Sequence, residues 1–319
     1  MLNRRSVLQT FSLAMIGSSS FAQSGGERPI RILIPLGPGT PSDAITRAFA
    51  PALGVALNQP VIVENKPGAN GIIAIQELMR AKPDGNTLLM GSVSPLAINM
   101  ALVKKLPYDP RVDLTPVGGT YNANQVWVCR NNFPARNMSE LIAYAKQNPG
   151  KVSAAHYSSL TQIQLSAMGS LAGINLLMVP YKSTTTAYTD LMGGTVDLTL
   201  MDMATAIAQV KGGKAQVLGV TTLKRNALAP EWPTVSETVA GYDFVSWSAL
   251  VGPPGMARET VERLNAALGQ SLKRKEVLQA MTDGGVIAWA STPEELKARI
   301  DAEVPRWIKL ARDANIQPE

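Results

Sequence analysis

Short apolar segments rich in β-branched residues alternate with segments of helical periodicity along most of this chain. Such alternation predicts parallel strands joined by helices that cover the faces of a sheet, so the predicted fold class is α/β. The predicted strands are 29–34, 61–63, 87–90, 126–128, 152–154, 176–179, 196–201 and 217–220. The predicted helices are 44–53, 72–81, 138–147, 161–172, 186–192, 204–210, 258–273 and 293–314.

The first loop joins a buried strand to a helix. It contains the candidate binding residues Leu36, Gly37, Pro38, Gly39, Thr40, Ser42 and Asp43. A Gly/Pro-rich turn that opens a helix directs free backbone N–H groups at whatever lies above it, which favours an anion. The lysine and the glycine spacing of nucleotide-binding loops are missing, so a small carboxylate fits better than a nucleotide phosphate. Ser42 or Asp43 is placed to cap the helix that follows the loop. The alternative to an anion site is an ordinary strand-to-helix turn.

Polar side chains also follow other predicted strands. In parallel sheets ligands bind beyond the carboxyl ends of the strands, so we expect these side chains to contribute to one site. Their hydroxyl and amide groups can hold a carboxylate through neutral hydrogen bonds. The candidates are Ser92, then His156, Ser158, Ser159, Thr161 and Gln162, then Ser183 and Thr184, and finally Asp202.

Four residues near these strand ends have a structural alternative. His156, the only histidine, either donates a hydrogen bond to a ligand or packs as a loop residue near a hinge. Tyr157 either stacks on a ligand or lines the wall of the cleft. Thr161 and Asp202 either contact a ligand or cap the helices that follow them.

Residues 1–22 have the organisation of a cleavable signal peptide. A basic start at Arg4 and Arg5 precedes an apolar run over 7–16, and small residues lead to a cleavage position after Ala22. The run is too short to span a membrane, and both twin-arginine and Sec export remain open. No cysteine follows the run to take a lipid, so we expect the mature chain to be free in the periplasm.

Several function classes are disfavoured by composition. The net charge of +6 is scattered and aromatic residues make up only 5%, so nucleic-acid binding is not expected. Cys129 is the only cysteine, which rules out an intrachain disulfide; we expect it to be buried on its apolar strand. One histidine and one cysteine form no metal-binding cluster, and there is no G-x-S-x-G elbow. We therefore predict that the chain is not an enzyme and needs no cofactor.

Six successive segments resemble the signatures of one family, the substrate-binding proteins of tripartite tricarboxylate transporters (the Bug family). These segments are residues 28–31, 60–69, 83–89, 106–110, 179–182 and 190–197. The resemblance implies a type II periplasmic binding protein with two α/β lobes and a ligand cleft between them. It also implies membrane partners, one large and one small integral subunit. We expect a monomer in which residues 28–124 and 244–319 form lobe one and residues 125–243 form lobe two.

The first loop resembles the family's carboxylate-binding loop, where backbone amides and ordered waters hold one end of the ligand. This chain departs from the usual Pro-Phe-Pro-Pro-Gly-Gly-x-x-Asp pattern at Leu36, Gly37 and Pro41. It departs again at 156–162, where the family usually has a stretch rich in Gly, Asn, Ser and Thr. These departures concern which ligand is bound and leave the class of protein unchanged.

The function predicted from the resemblance is capture of a small mono- or dicarboxylate and its delivery to the transporter. The ligand range includes aromatic or longer diacids such as terephthalate, which the His156–Tyr157 pair mildly favours. The alternative is a sensor that presents the same kind of ligand to a membrane histidine kinase.

Overall fold

The computed structural model describes residues 28–318, so the predicted signal peptide lies outside the described residues. The strands are β1 Ile30–Ile34, β2 Val61–Asn65, β3 Thr87–Ser92, β4 Thr115–Ala123, β5 Gln125–Arg130, β6 Val152–His156, β7 Leu176–Pro180, β8 Leu198–Asp202, β9 Ala215–Val220, β10 Ser246–Gly252 and β11 Val286–Ala288. The helices are α1 Pro41–Leu57, α2 Ile72–Met79, α3 Asn99–Leu102, α4 Met138–Gln147, α5 Ser159–Ala172, α6 Thr184–Gly193, α7 Met203–Lys211, α8 Arg258–Ser271, α9 Lys275–Asp283 and α10 Pro293–Asp313.

The strands form two sheets with matching internal order. The first sheet is ordered β11-β4-β10-β3-β1-β2 and the second β7-β6-β8-β5-β9. In each sheet three parallel strands lie beside one antiparallel strand, which is β10 in the first and β5 in the second. Each antiparallel strand is the first one that the chain enters after it crosses from the other sheet. The prediction of an α/β fold with two lobes is confirmed.

Two crossings connect the sheets. A single residue, Asn124, separates the end of β4 from the start of β5, and the chain returns between β9 and β10. Thr221 ties the crossings together: its hydroxyl accepts from the Gln125 N–H at 3.2 Å and donates to the Phe244 carbonyl at 2.8 Å. Its backbone N–H donates to the Gln125 carbonyl at 2.9 Å. The predicted lobe boundaries at 124/125 and 243/244 stay a prediction.

One hydrophobic cluster extends across both sheets. It contains Trp247 from β10, Trp127 from β5 and Trp307 from α10, all of them fully buried. The Trp127 indole N–H donates to the Tyr242 hydroxyl at 2.8 Å, and Phe244 bridges Tyr242 and Trp307 with ring centroids 4.7 and 5.7 Å away. Buried aromatic side chains therefore pack in one cluster that connects the two lobes next to the crossings.

Cys129 lies in the same cluster and is fully buried, as expected from its apolar strand. Burial raises the pKa of its thiol to about 12, so the thiol stays protonated at neutral pH. Within residues 28–318 no helix combines the length and the apolar character that crossing a bilayer requires.

Candidate functional site

The carboxyl ends of the parallel strands in both sheets meet at the first crossing. In the first sheet β1, β2 and β3 end at the edge where Ala123 ends β4. In the second sheet Gln125 pairs with Asp202, the last residue of β8, and β6 and β7 run parallel to β8. Because only Asn124 lies between Ala123 and Gln125, the two edges adjoin. The loops after the parallel strands therefore flank one cleft between the lobes.

The first loop has a different internal structure from the one predicted. Helix α1 begins at Pro41, and its N-cap is Thr40, so the prediction that Ser42 or Asp43 caps the helix was wrong. Proline is favoured at the first helical position because its fixed φ suits the helix and its missing N–H would have no partner there. The Thr40 hydroxyl accepts from the Asp43 N–H at 3.4 Å and donates to the Gly37 carbonyl at 2.9 Å.

Asp43 turns back into its own loop. Its side chain is 6% exposed, and its Oδ2 accepts from the Gly39 N–H at 2.9 Å. One of the amides predicted to hold an anion is therefore occupied by a carboxylate of the protein. Within the described chain the N–H groups of Gly37, Thr40 and Ser42 donate to no protein acceptor. These three donors, at the positive end of a 17-residue helix, remain for an anion.

The charge on Asp43 is compensated. Burial opposes its ionisation, but the Gly39 N–H, the Asn65 amide and Arg47 together hold the pKa of Asp43 below its usual value. Arg47 Nε lies 2.9 Å from Asp43 Oδ1. An anion that approaches the loop therefore meets a paired carboxylate, and repulsion from it is reduced.

Ser42 and Ser92 lie beside the sheet. Ser42 is 5% exposed, and its hydroxyl lies near the Tyr121 hydroxyl, whose pKa is raised by burial. Ser92 is half-buried at the end of β3, opposite Ser248 of β10. The Ser42 N–H, rather than its hydroxyl, is thus the group directed beyond the helix end. Leu36, Pro38 and Gly39 are exposed.

The loop after β6, residues 156–162, is largely occupied by the capping of α5. Ser158 is the N-cap, and its hydroxyl accepts from the Thr161 N–H at 3.3 Å. The Thr161 hydroxyl accepts from the N–H groups of Tyr157 and Ser158, each at 3.1 Å. The structure therefore gives Thr161, which is fully buried, the capping role that was its alternative. Ser159 is also buried, and Gln162 is half-buried.

His156 and Tyr157 differ sharply in their contacts. The Tyr157 hydroxyl donates to the Leu200 carbonyl at 2.8 Å, lies 3.2 Å from the Tyr188 hydroxyl and accepts from the Gln125 amide at 3.3 Å. Tyr157 is thus part of the framework of the second sheet. The half-buried His156 imidazole makes no hydrogen bond to any described residue, and burial lowers its pKa, so it is neutral at pH 7. Among residues 156–162, the half-buried side chains of His156 and Gln162 make no hydrogen bond to a described residue and so remain free to meet a ligand.

Two of the remaining candidates, Ser183 and Asp202, also cap helices. Ser183 is the N-cap of α6, with its hydroxyl 3.2 Å from the Thr186 N–H, and the neighbouring Thr184 is exposed. They follow β7, the outer strand of the sheet, and so lie farther from the crossing than His156. Asp202 caps α7: its two oxygens accept from the Thr205 N–H and hydroxyl at 2.9 and 2.8 Å. The capping alternative for Asp202 is therefore the one the structure realises.

The sequence analysis missed Asn65 and Tyr121. Asn65 ends β2, next to the end of β1, and its side-chain amide donates to both the Leu36 carbonyl and Asp43. Asn65 would have been selected if the expectation that ligands bind beyond the carboxyl ends of parallel strands had also been applied to β2. Tyr121 lies on β4, a strand that was not predicted. Among residues 28–318 there is no group of three His, Cys, Asp or Glu side chains placed to hold a metal ion.

Comparison with known proteins relates the whole fold to one family. A profile described as "Tripartite tricarboxylate transporter family receptor" matches residues 45–316. Protein BugT of Bordetella pertussis is 31% identical over 301 residues, which cover 90% of this chain and 89% of that protein. An R. palustris protein solved with adipate has a TM-score of 0.84 at 26% identity, covering 92% of this chain and 99% of that chain. MatC from Rhodopseudomonas palustris with bound malate has a TM-score of 0.79 at 26% identity, covering 89% and 99%.

The capping role of Thr40 predicts a measurable loss of stability. Replacing Thr40 by alanine removes the side-chain acceptor at the start of α1, so the free energy of unfolding should fall by about 1 kcal/mol. Thr40→Ser keeps the hydroxyl and should retain most of that stability. Urea denaturation measures the difference, with the exposed mid-helix Thr189→Ala as a control expected to change stability by less than about 0.5 kcal/mol. A Thr40→Ala variant as stable as wild type would contradict the assigned cap.

Proposed function

Because this chain belongs to the tripartite tricarboxylate transporter receptor family, we propose that it captures a small mono- or dicarboxylate between its lobes and delivers it to such a transporter. The family assignment made from the sequence is confirmed. BugD, a structural neighbour 30% identical to this chain, is a periplasmic binding protein, which supports a periplasmic location. Export through a cleaved signal peptide, by the Sec or twin-arginine route, is part of the proposal.

The observation that carries the proposal is the set of free N–H groups in the first loop. Among residues 28–318, the N–H groups of Gly37, Thr40 and Ser42, in the loop before α1 and its first turn, have no acceptor, and they lie beside a carboxylate already paired with Arg47. Backbone N–H groups at a helix start favour a carboxylate, because the helix dipole adds positive potential without a fixed charge. One carboxylate of the ligand would sit on this loop, helped by Ser92.

The other end of the ligand would meet the second lobe at His156. A neutral imidazole offers both a donor and an acceptor, so it can bind a second carboxylate or a hydroxyl. The segments 36–43, 91–94, 156–162 and 182–186, which follow β1, β3, β6 and β7, contain no arginine and a single lysine, the exposed Lys182. The proposed site thus holds its anion through neutral donors and helix ends instead of an arginine clamp. Adipate and malate, bound by the two R. palustris relatives, fit this requirement.

Delivery follows from closure of the lobes. A ligand that contacts both lobes binds the closed arrangement better than the open one and shifts the population toward it. The proposed partners, one large and one small integral membrane subunit, would recognise this closed form. The lobes in this proposal are residues 28–124 with 244–319, and residues 125–243.

Ligand class is tested by a thermal-shift screen of the purified protein. Adipate or malate at about 100 times its Kd should stabilise the fold by about 2.7 kcal/mol, which appears as a higher Tm. Adipamide, the neutral diamide of the same length, is the matched control and should leave Tm unchanged. If neutral solutes raise Tm and no carboxylate does, the proposed ligand class is wrong.

The role of the first loop is tested by a pair of glycine variants. Gly39 has φ +77° and Gly255, in the turn between β10 and α8, has φ +80°; in both, an added Cβ would meet no atom within 4 Å. Alanine should therefore cost each position a similar amount of stability, about 1–2 kcal/mol. Only Gly39→Ala should weaken adipate binding in calorimetry, by about tenfold or more, because relieving its strain rotates the neighbouring N–H groups. Equal affinities in the two variants would argue against this loop as the anion site.

Delivery is tested by uptake of radiolabelled adipate in the native host. Deleting the gene should abolish uptake, wild-type protein should restore it, and Gly39→Ala should restore it only at high adipate concentrations. Unchanged uptake together with loss of adipate-induced gene expression would instead support the sensor alternative.

A further inference from the structure

Asn65 connects the two ends of the first loop. It is the last residue of β2 and lies beside Ile34, the last residue of β1. Its Nδ2 donates to the Leu36 carbonyl and to Asp43 Oδ1, both at 3.0 Å, and its Oδ1 accepts from Arg47 Nη2 at 2.9 Å. The amide thus uses both of its donors and its acceptor. It spans from the beginning of the loop to the first turn of α1.

These contacts determine how Asp43 meets the loop backbone. Asn65 and Arg47 both bind Oδ1 of Asp43, which leaves Oδ2 to accept from the Gly39 N–H. Gly39 is in the left-handed region, and the peptide that follows it carries the free Thr40 N–H. Rotation of the Asp43 carboxylate would therefore alter the orientation of the donors on either side of Gly39.

We propose that Asn65 is a positioning residue for the anion-binding loop. Its hydrogen bonds keep the loop backbone in the conformation that leaves the free N–H groups available to a ligand. This inference rests on the proposed function of the loop. Asparagine suits the position because two donors and one acceptor are needed on a short side chain. Aspartate would offer no donor and would repel Asp43, while an alkyl side chain would leave the Leu36 carbonyl and Asp43 without this partner.

The backbone after Asn65 is itself anchored to the same loop. An added Cβ on Gly71 (φ +89°) would lie 3.1 Å from Pro35 Cβ and 3.2 Å from Pro95 Cβ, so Gly71 packs between the residues that follow β1 and β3. Asn70 (φ +51°) is held by its carbonyl, which accepts from the buried Asn99 side chain at 3.0 Å. A non-glycine residue in the left-handed region is strained and persists where its surroundings hold it. The segment that follows Asn65 therefore has little freedom to move.

The competing explanation is that Asn65 only links β2 to α1 and does not position the loop through Asp43. A double-mutant cycle distinguishes these two explanations. If Asn65 acts through Asp43, Asn65→Ala should weaken adipate binding by about tenfold or more in the wild-type background. In an Asp43→Ala background the same change should weaken it by less than about threefold, because the residue through which it acts is gone. Asn86→Ala is the matched control, since Asn86 is half-buried, directly precedes β3 and accepts a side-chain hydrogen bond at the opposite end of the parallel strands.

A second measurement needs no ligand. Amide hydrogen exchange of Gly39, followed by NMR in the full-length mature protein, should accelerate by about tenfold or more in Asn65→Ala and stay unchanged in Asn86→Ala. Unchanged Gly39 exchange, unchanged affinity, or an equally large effect in the Asp43→Ala background would each overturn the positioning role. If neutral solutes and no carboxylate bind the wild-type protein, the proposed ligand class fails, while the exchange result still decides the role of Asn65.

Discussion

The site depends on the one-residue crossing at Asn124. Because β4 ends at Ala123 and β5 begins at Gln125, the carboxyl edges of two separate sheets are forced together. Thr221 forms hydrogen bonds to residues of both crossings, so the two crossing segments are held to each other. Helix starts that would otherwise face solvent on two independent sheets are thereby brought to one cleft. A longer linker would leave the same loops without a defined partner across the gap.

In the proposed function the first loop binds an anion through backbone N–H groups. Its own carboxylate, Asp43, accepts from the Gly39 N–H and is paired with Arg47, which shapes the turn, while three other N–H groups of the loop have no acceptor among residues 28–318. In the second lobe the hydroxyls of Ser158 and Thr161 are used to cap α5. Hydroxyl groups in loops at helix starts accept hydrogen bonds from the N–H groups of the first helical turn. Residue type alone therefore overstates how many of these hydroxyls are free for a ligand.

Regular elements with local signals were predictable. Helix α4 was predicted over 138–147 and is observed at Met138–Gln147, because Asn137 caps it and its apolar face is periodic. Strand β8, predicted over 196–201, is observed at Leu198–Asp202. Strand β4 was missed because it contains Pro116, Gly118 and Gly119, which weaken a strand pattern. An added Cβ on Gly119 would lie 2.6 Å from the Trp289 ring, so that glycine is explained by a contact distant in sequence.

The sequence by itself determined the α/β class, the family and the loops at which a ligand would be sought, since these depend on periodicity and on signatures that are local. Only the tertiary structure decided which groups in those loops are free. The N-cap is Thr40, two residues before Ser42, so the Thr40 hydroxyl is the one used to cap α1. The geometry of the first loop is set by Asn65, which reaches Leu36 from 29 residues away. Hydrogen bonds of that kind follow from the pairing of β1 with β2 in space, which no local pattern contains.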